Sequence, residues 1–241
     1  MAKSIKKRTA SHIYFGVVKN TGELVHISDV PSGKKCGCIC IACQKPLEAR
    51  KGEIRRHHFA HISNYECMYA SEVAVYKALA DIIETEGTIS LPAVSLKFDS
   101  YRKDELIQNE RTLPVCSTSF ECEPLVYPPT LKIAAGGSHL RVLIDFNNYY
   151  TPEDLETLIE EAEKDEHSVL LYKMPKIETD NYFTPANLRD VLRTHKGAEW
   201  LFSRLAARWR KRYFANARTP AEFQDGCLCP ISRNKLNGTY E

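Results

Sequence analysis

Four residues carry the clearest chemistry in the chain. Cys40 and Cys43 stand three positions apart, and His58 and His61 repeat that spacing downstream. Two thiols with two residues between them form a knuckle that can grip one ion. Two imidazoles complete a closed donor set. Such a set suits a borderline-soft, four-coordinate ion, and zinc is the usual occupant. With four protein ligands and no open position, the ion is expected to hold the fold rather than to do chemistry. Cys36, Cys38, His57 and Cys67 are further candidates nearby. Cys36 and Cys38 are separated by one residue, a poor spacing for joint chelation. Cys67 lies six residues past His61 and is the alternative ligand. Thiols left over are expected to be small buried hydrophobes.

The rest of the chain must position this set. Its 241 residues allow one large domain or two smaller ones. Nine cysteines are present, and five fall between Cys36 and Cys67. The basic Met1–Arg8 stretch is not followed by an apolar signal region, so the expectation is a reducing cytoplasm and metal ligation rather than disulfides. No apolar run reaches membrane-spanning length. The net charge of +2 conceals an asymmetry. Residues 1–70 hold 12 basic and 5 acidic side chains, 71–180 hold 10 and 21, and 181–241 hold 11 and 5. Two basic ends therefore flank an acidic middle. Such ends suit a phosphate backbone or an acidic partner, or they pair with the middle within the fold.

Local patterns predict the elements. Residues 13–18 and 24–27 read as two short strands around Asn20-Thr21-Gly22. Val73, Tyr76, Ala80 and Ile83 recur at helical spacing and predict a helix over 71–84. Residues 88–98 read as strand interrupted by Pro92, 101–110 as loop, and 114–126 as strand. Residues 131–134 and 140–146 form a predicted hairpin around Gly136-Gly137-Ser138. Thr151-Pro152-Glu153-Asp154 is a capped helix start, and the helix is expected to run to Asp165. Residues 168–172 read as a strand. A second cap at Thr184-Pro185 opens a predicted helical region, with Leu188, Val191, Leu192, Trp200, Leu201, Leu205 and Trp209 on its apolar face. The fold class is thus α/β (α+β): a small zinc-binding N-terminal module, a central mixed sheet with flanking helices, and a helical C-terminal region. The expected domains are 1–70, 71–180 and 181–241.

The run from Gly33 to Leu47, with Cys36, Cys38, Cys40 and Cys43, and the run from Arg50 to His61, ending His57-His58-Phe59-Ala60-His61, resemble the zinc-finger-like N-terminus of the CoiA-like competence proteins. Cys67 also falls where that family places a cysteine. The resemblance is close from Gly33 to Cys67. It implies that a restriction-endonuclease-like domain of the PD-(D/E)xK type follows. Such a domain holds Mg²⁺ with carboxylates near the scissile phosphate, and a Lys or Gln positions the attacking water. Glu72 fits the expected helix acid. Asp145-Phe146-Asn147 fits the acidic-x-Gln position with a shorter acid and a shorter amide. Tyr76 and Ala80 stand where His and Lys are expected, and residues 130–134, Thr-Leu-Lys-Ile-Ala, lack the expected strand Asp. The catalytic candidates are therefore Glu72, Asp145 and Asn147 in an eroded site, with Glu121 or Glu123 as replacements for the missing acid if the enzyme is active.

Arg204, Arg208, Lys211 and Arg212 fall on adjacent turns of one predicted helix, beside Trp209 and two further aromatics. Arginine and aromatic side chains together contact phosphates and stack on bases. Arg50, Lys51, Arg55 and Arg56 add a basic patch to the metal module. These eight residues are the candidate nucleic-acid contacts. The expected function is a zinc-stabilised nucleic-acid-binding protein on a degenerate nuclease scaffold, with DNA preferred over RNA. It would serve as a subunit or adaptor of a bacterial DNA-processing, defence or mobile-element system, with protein partners possible and no membrane role. An active Mg²⁺-dependent nuclease and a purely protein-binding subunit are the alternatives.

Overall fold

The computed structural model describes residues 12–63, 67–97, 104–122, 129–146, 148–175 and 182–215, with residues 213–215 described by their backbone alone. Asn147, Glu123, Cys227 and Cys229 lie outside the described residues.

The N-terminal region is built from short pieces. Strands β1 (Phe15–Val18) and β2 (Leu24–His26) pair antiparallel around the predicted turn, and β3 (Cys38–Ile39) adds to the other edge of β1. Strands β4 (Leu47–Arg50) and β5 (His58–His61) form a separate antiparallel hairpin in which Arg50 faces His58 and Leu47 faces His61.

Helix α1 (Ala70–Glu86) follows and is buried on almost every side. A helix apolar all round belongs inside a protein. It ends where Gly87 takes a left-handed conformation and its N–H meets the Ile83 carbonyl. Strands β6 (Thr88–Leu91) and β7 (Val94–Leu96) come next, separated at Pro92. Strand β8 (Glu105–Gln108) pairs with β7, so part of the expected 101–110 loop is extended. The pairing supplies the reason, because β7 offers β8 an open edge. The long β9 (Arg111–Glu121), β10 (Thr130–Ala135) and β11 (Ser138–Phe146) build the centre of the main sheet. Gly136 and Gly137 both have positive φ between the paired Ala135 and Ser138. This is the backbone that a two-residue hairpin turn demands and that glycine supplies without strain.

Helix α2 (Pro152–Lys164) starts at a capping box, in which the Thr151 hydroxyl accepts from the Asp154 N–H and the Asp154 carboxylate accepts from the Thr151 N–H. It carries the chain over to β12 (Ser168–Met174), which runs parallel to β11. A parallel pair needs such a crossover. Helix α3 (Pro185–Thr194), β13 (Ala198–Phe202) and α4 (Arg204–Ala215) complete the described chain. The six-stranded sheet has the order β13-β12-β11-β10-β9-β6.

One sequence expectation is corrected here. The C-terminal region is not continuous helix, because Ala198–Phe202 is a strand paired with β12. His195 and Gly197 both take positive φ and stop α3. The Gly197 carbonyl then accepts from the Lys173 N–H at 2.8 Å, which starts the pairing. A Cβ on Gly197 would meet the Lys173 carbonyl oxygen at 2.5 Å, so glycine is needed there. Trp200 and Leu201 therefore sit on a strand, although their spacing from α3 mimics a helical stripe.

The sheet is covered on both faces, and its central strands read as continuous apolar runs for that reason. Leu170 and Tyr172 belong to the large core shared with α1 and α3, while Val169 and Leu171 pack with Leu143, Tyr150 and Ala162 under α2. The large core continues through α1 into Leu47, Phe59 and Cys40 of the N-terminal region. Beyond Val142 the pairing with β10 has ended. There the buried Tyr76 phenol takes over, accepting from the Ile144 N–H at 2.7 Å and donating to the Ile144 carbonyl at 3.4 Å. Burial pushes that phenol up to about 12. This bond ties α1 to the sheet. Among the described residues, no helix is long and apolar enough to cross a membrane.

Candidate metal centre

The donors come from three places. Cys40 follows β3 and opens a tight turn, in which the Gln44 N–H meets the Cys40 carbonyl at 2.8 Å and the Cys40 N–H meets the Lys45 carbonyl at 2.9 Å. Gln44 takes positive φ to close it. The turn brings Cys43 back beside Cys40, as the two-residue spacing requires. His61 ends β5, opposite Leu47. Cys67 precedes α1, and its carbonyl accepts from the Ala70 N–H at 3.2 Å.

Ligand atoms of Cys40, Cys43, His61 and Cys67 all lie within 4.8 Å of one another. Cys43 Sγ and His61 Nε2 are 3.2 Å apart. Cys40 and His61 are buried, and the other two are half-buried. Such a cluster could hold a metal ion.

His58, expected as a ligand, is not among these four. It lies on strand β5, where side chains alternate between faces, so residues three apart point to opposite sides. His61 faces the cluster and His58 does not. The His58 Nδ1–H donates to the Arg56 carbonyl at 2.8 Å, and its ring meets His12 edge-on at 4.5 Å. Cys67 takes its place, so the set is Cys₃His. His57 is exposed. Cys36 and Cys38 are buried outside the cluster and donate their thiols to the Leu47 and Cys36 carbonyls. Burial, then the neighbouring Cys36, pushes the Cys38 thiol up to about 12. These two behave as the small buried hydrophobes expected of spare thiols.

The three cluster thiols share their protons unequally. A hydrogen bond from Cys40 pulls Cys67 down to about 6, while Cys40 is pushed far up by that same contact and by burial. Burial raises Cys43. Burial, then the Lys45 ammonium, lowers His61 and so favours its neutral, ligating form.

The catalytic candidates do not assemble in the same way. Glu72 is buried in the first turn of α1, close enough to Cys67 for its charge to oppose the thiolate. Asp145 is buried on β11, and its Oδ1 accepts from the Tyr149 N–H at 2.6 Å. Alternation along β11 puts Asp145 with Leu143 on the face under α2, whereas α1 covers the face that carries Ile144. Among the described residues, no third His, Cys, Asp or Glu joins either acid in a metal-holding group. Lys132 occupies the strand where an acid is expected. It is exposed and lies 3.9 Å from Glu121, one of the two suggested replacements.

The basic candidates divide as well. The Lys51 ammonium donates to the Ser28 carbonyl at 2.9 Å and the Val30 carbonyl at 2.5 Å, so it braces the fold. Arg50 pairs with Glu48 at 2.7 Å, and Arg204 with Glu166 at 3.1 Å. Arg55 and Arg56 are exposed on the β4–β5 loop. Arg208, Lys211 and Arg212 are exposed on α4, as is Arg210, which the sequence reading did not single out as a contact. Among the described residues none forms an ion pair with these four. Trp209 between them is 43% exposed, and none of residues 204–212 of α4 is fully buried, although 204–207 are half-buried.

Residues 26–70 match the family model of the N-terminal domain of the competence protein CoiA. Three of the four clustered donors follow the two short N-terminal strands, and Cys67 sits near the end of the match. No curated protein and no solved structure matches the chain.

Proposed function

We propose that the chain is a zinc-stabilised nucleic-acid-binding protein, built on a nuclease-like scaffold that lacks a working set of catalytic acids and acting as a DNA-binding subunit or adaptor in a bacterial DNA-processing system. DNA is preferred to RNA. The zinc half of the reading is supported by the donor set. Tetrahedral zinc with thiolates at 2.3 Å holds neighbouring donors roughly 3.5–3.8 Å apart. The spread within 4.8 Å fits that demand, and soft thiolate donors favour zinc over magnesium or calcium. With four protein donors the ion is structural. It ties the knuckle and β5 to the residue that leads into α1.

One observation carries the nucleic-acid half: the exposed, unpaired cations of α4 flanking an exposed tryptophan. Cations already bound to carboxylates would have to leave them to reach phosphates, and these need not. The test is a titration of duplex DNA and of duplex RNA at rising salt, with zinc quantified by elemental analysis. The expected result is one zinc per chain, tighter binding to DNA, and an affinity that falls steeply between about 50 and 200 mM salt. Absence of binding at low salt, or an affinity indifferent to salt, refutes the reading. The nuclease alternative is tested in the same preparation by adding Mg²⁺ or Mn²⁺ to plasmid. Cleavage that disappears in Asp145→Ala would restore catalysis to the scaffold.

A further inference from the structure

The β4–β5 hairpin ends in a loop over 51–57, and Ile54 at its tip is 99% exposed. An isoleucine with no neighbours gives up the burial that makes it useful. Here it stands between Glu53 on one side and Arg55, Arg56 and His57 on the other, all exposed. The root of the loop is held. Lys51 fastens one leg to the Ser28 and Val30 carbonyls, and at the foot of the other the His58 ring meets His12 edge-on at 4.5 Å. His61 at the base of β5 belongs to the Cys/His cluster, so an ion held there would anchor the arm.

We infer that this tip is a wedge for duplex DNA: Ile54 inserts between base pairs from the minor groove while Arg55 and Arg56 hold the flanking phosphates. The inference rests on the nucleic-acid reading above and adds to it a second contact surface, separate from α4 in the sequence and of different chemistry. Apolar side chains flanked by arginine are the usual means of prising open a base step from the minor groove. Other occupants fit less well. A lone isoleucine buries far less than the roughly 800 Å² per partner of a stable protein interface. A membrane-surface element needs a broad apolar face rather than one side chain. Single strands are held by stacking on aromatic rings, which the tip lacks.

The test uses the full-length zinc-loaded protein and a duplex of about 20 base pairs carrying 2-aminopurine, whose fluorescence rises when its neighbours unstack. The wild type is expected to raise that fluorescence on binding. Ile54→Gly should abolish the rise and weaken binding roughly tenfold or more, the loss expected for one buried aliphatic side chain. Arg55→Ala should leave the rise and lower the slope of log affinity against log salt by about one. Ile54 touches nothing in the fold, so the variant remains folded, and its zinc content checks this. If wild type and Ile54→Gly bind equally and give equal fluorescence, the wedge is refuted while binding through α4 stands. If the wild type binds no duplex at low salt, the underlying reading falls and the wedge with it. Binding of anionic phospholipid vesicles that depends on Ile54, with no fluorescence rise on DNA, assigns the tip to membranes and overturns the inference.

Discussion

The metal module and the six-stranded sheet solve the same problem by different means. Around the cluster the strands are two to four residues long. So little pairing cannot order a chain segment, because fixing each residue costs about 1–2 kcal/mol. In the sheet, β11 runs for nine residues, and Val142, Leu143, Ile144, Val169, Leu170 and Leu171 are fully buried. There apolar burial and long ladders suffice. On the zinc reading proposed above, the difference teaches where each half is vulnerable: one to loss of an ion, the other to loss of packed volume. They are not independent, since one hydrophobic core runs through α1 from Phe59 to Ile144.

The largest effect should come from the ion. Cys40→Ser or Cys67→Ser should remove zinc from the protein and cost the module stability on the order of 10 kcal/mol, the scale of structural zinc binding. His58→Ala should keep full zinc occupancy. Elemental analysis separates these variants, and hydrogen exchange locates the damage. If exchange in β11 and β12 rises as much as in β4 and β5, the two regions unfold together and the contrast drawn above fails. Next is the sheet itself. Leu143→Ala should cost about 2–5 kcal/mol by denaturant unfolding with zinc content unchanged.

The joint between the halves is predicted to cost less. Tyr76→Phe leaves the buried Ile144 N–H without its acceptor, a loss of about 1–3 kcal/mol. Because α1 touches both regions, exchange should rise on both sides of it. Thr151→Ala, which removes the cap of α2, should cost about 1 kcal/mol and leave the metal module unchanged.

The smallest effect concerns pH. Burial holds His26 in the module and His167 and His195 beside the sheet below the ordinary 6.5. The unfolded chain therefore takes up more protons than the folded one as pH falls through that value. The neutral rings' contribution is complete above pH 6.5 and is lost below it. Urea midpoints of the zinc-loaded protein should drop from pH 7.5 to 5.5. In His26→Gln the drop should be smaller. An equal drop would show that acid acts elsewhere.

The sequence alone determined the parts of this molecule that depend on near neighbours. The Cys40–Cys43 knuckle, the Gly136–Gly137 turn and the Thr151 and Thr184 caps are local devices, and the structure contains each one. Tertiary structure decided what depends on direction and distant pairing. His58 was lost as a ligand because β5 is a strand, whose alternation turns a three-residue spacing to opposite faces. Cys67 was gained because α1 packs beside the module. Trp200 left the helix because β12 offered an open edge. The Lys51 ammonium is turned onto two carbonyls, 21 and 23 residues away in the chain, that lay within its reach. Residue type and spacing say which groups can act. Only the packed fold says which way they point, because orientation is fixed by pairings and burials that no local stretch of sequence contains.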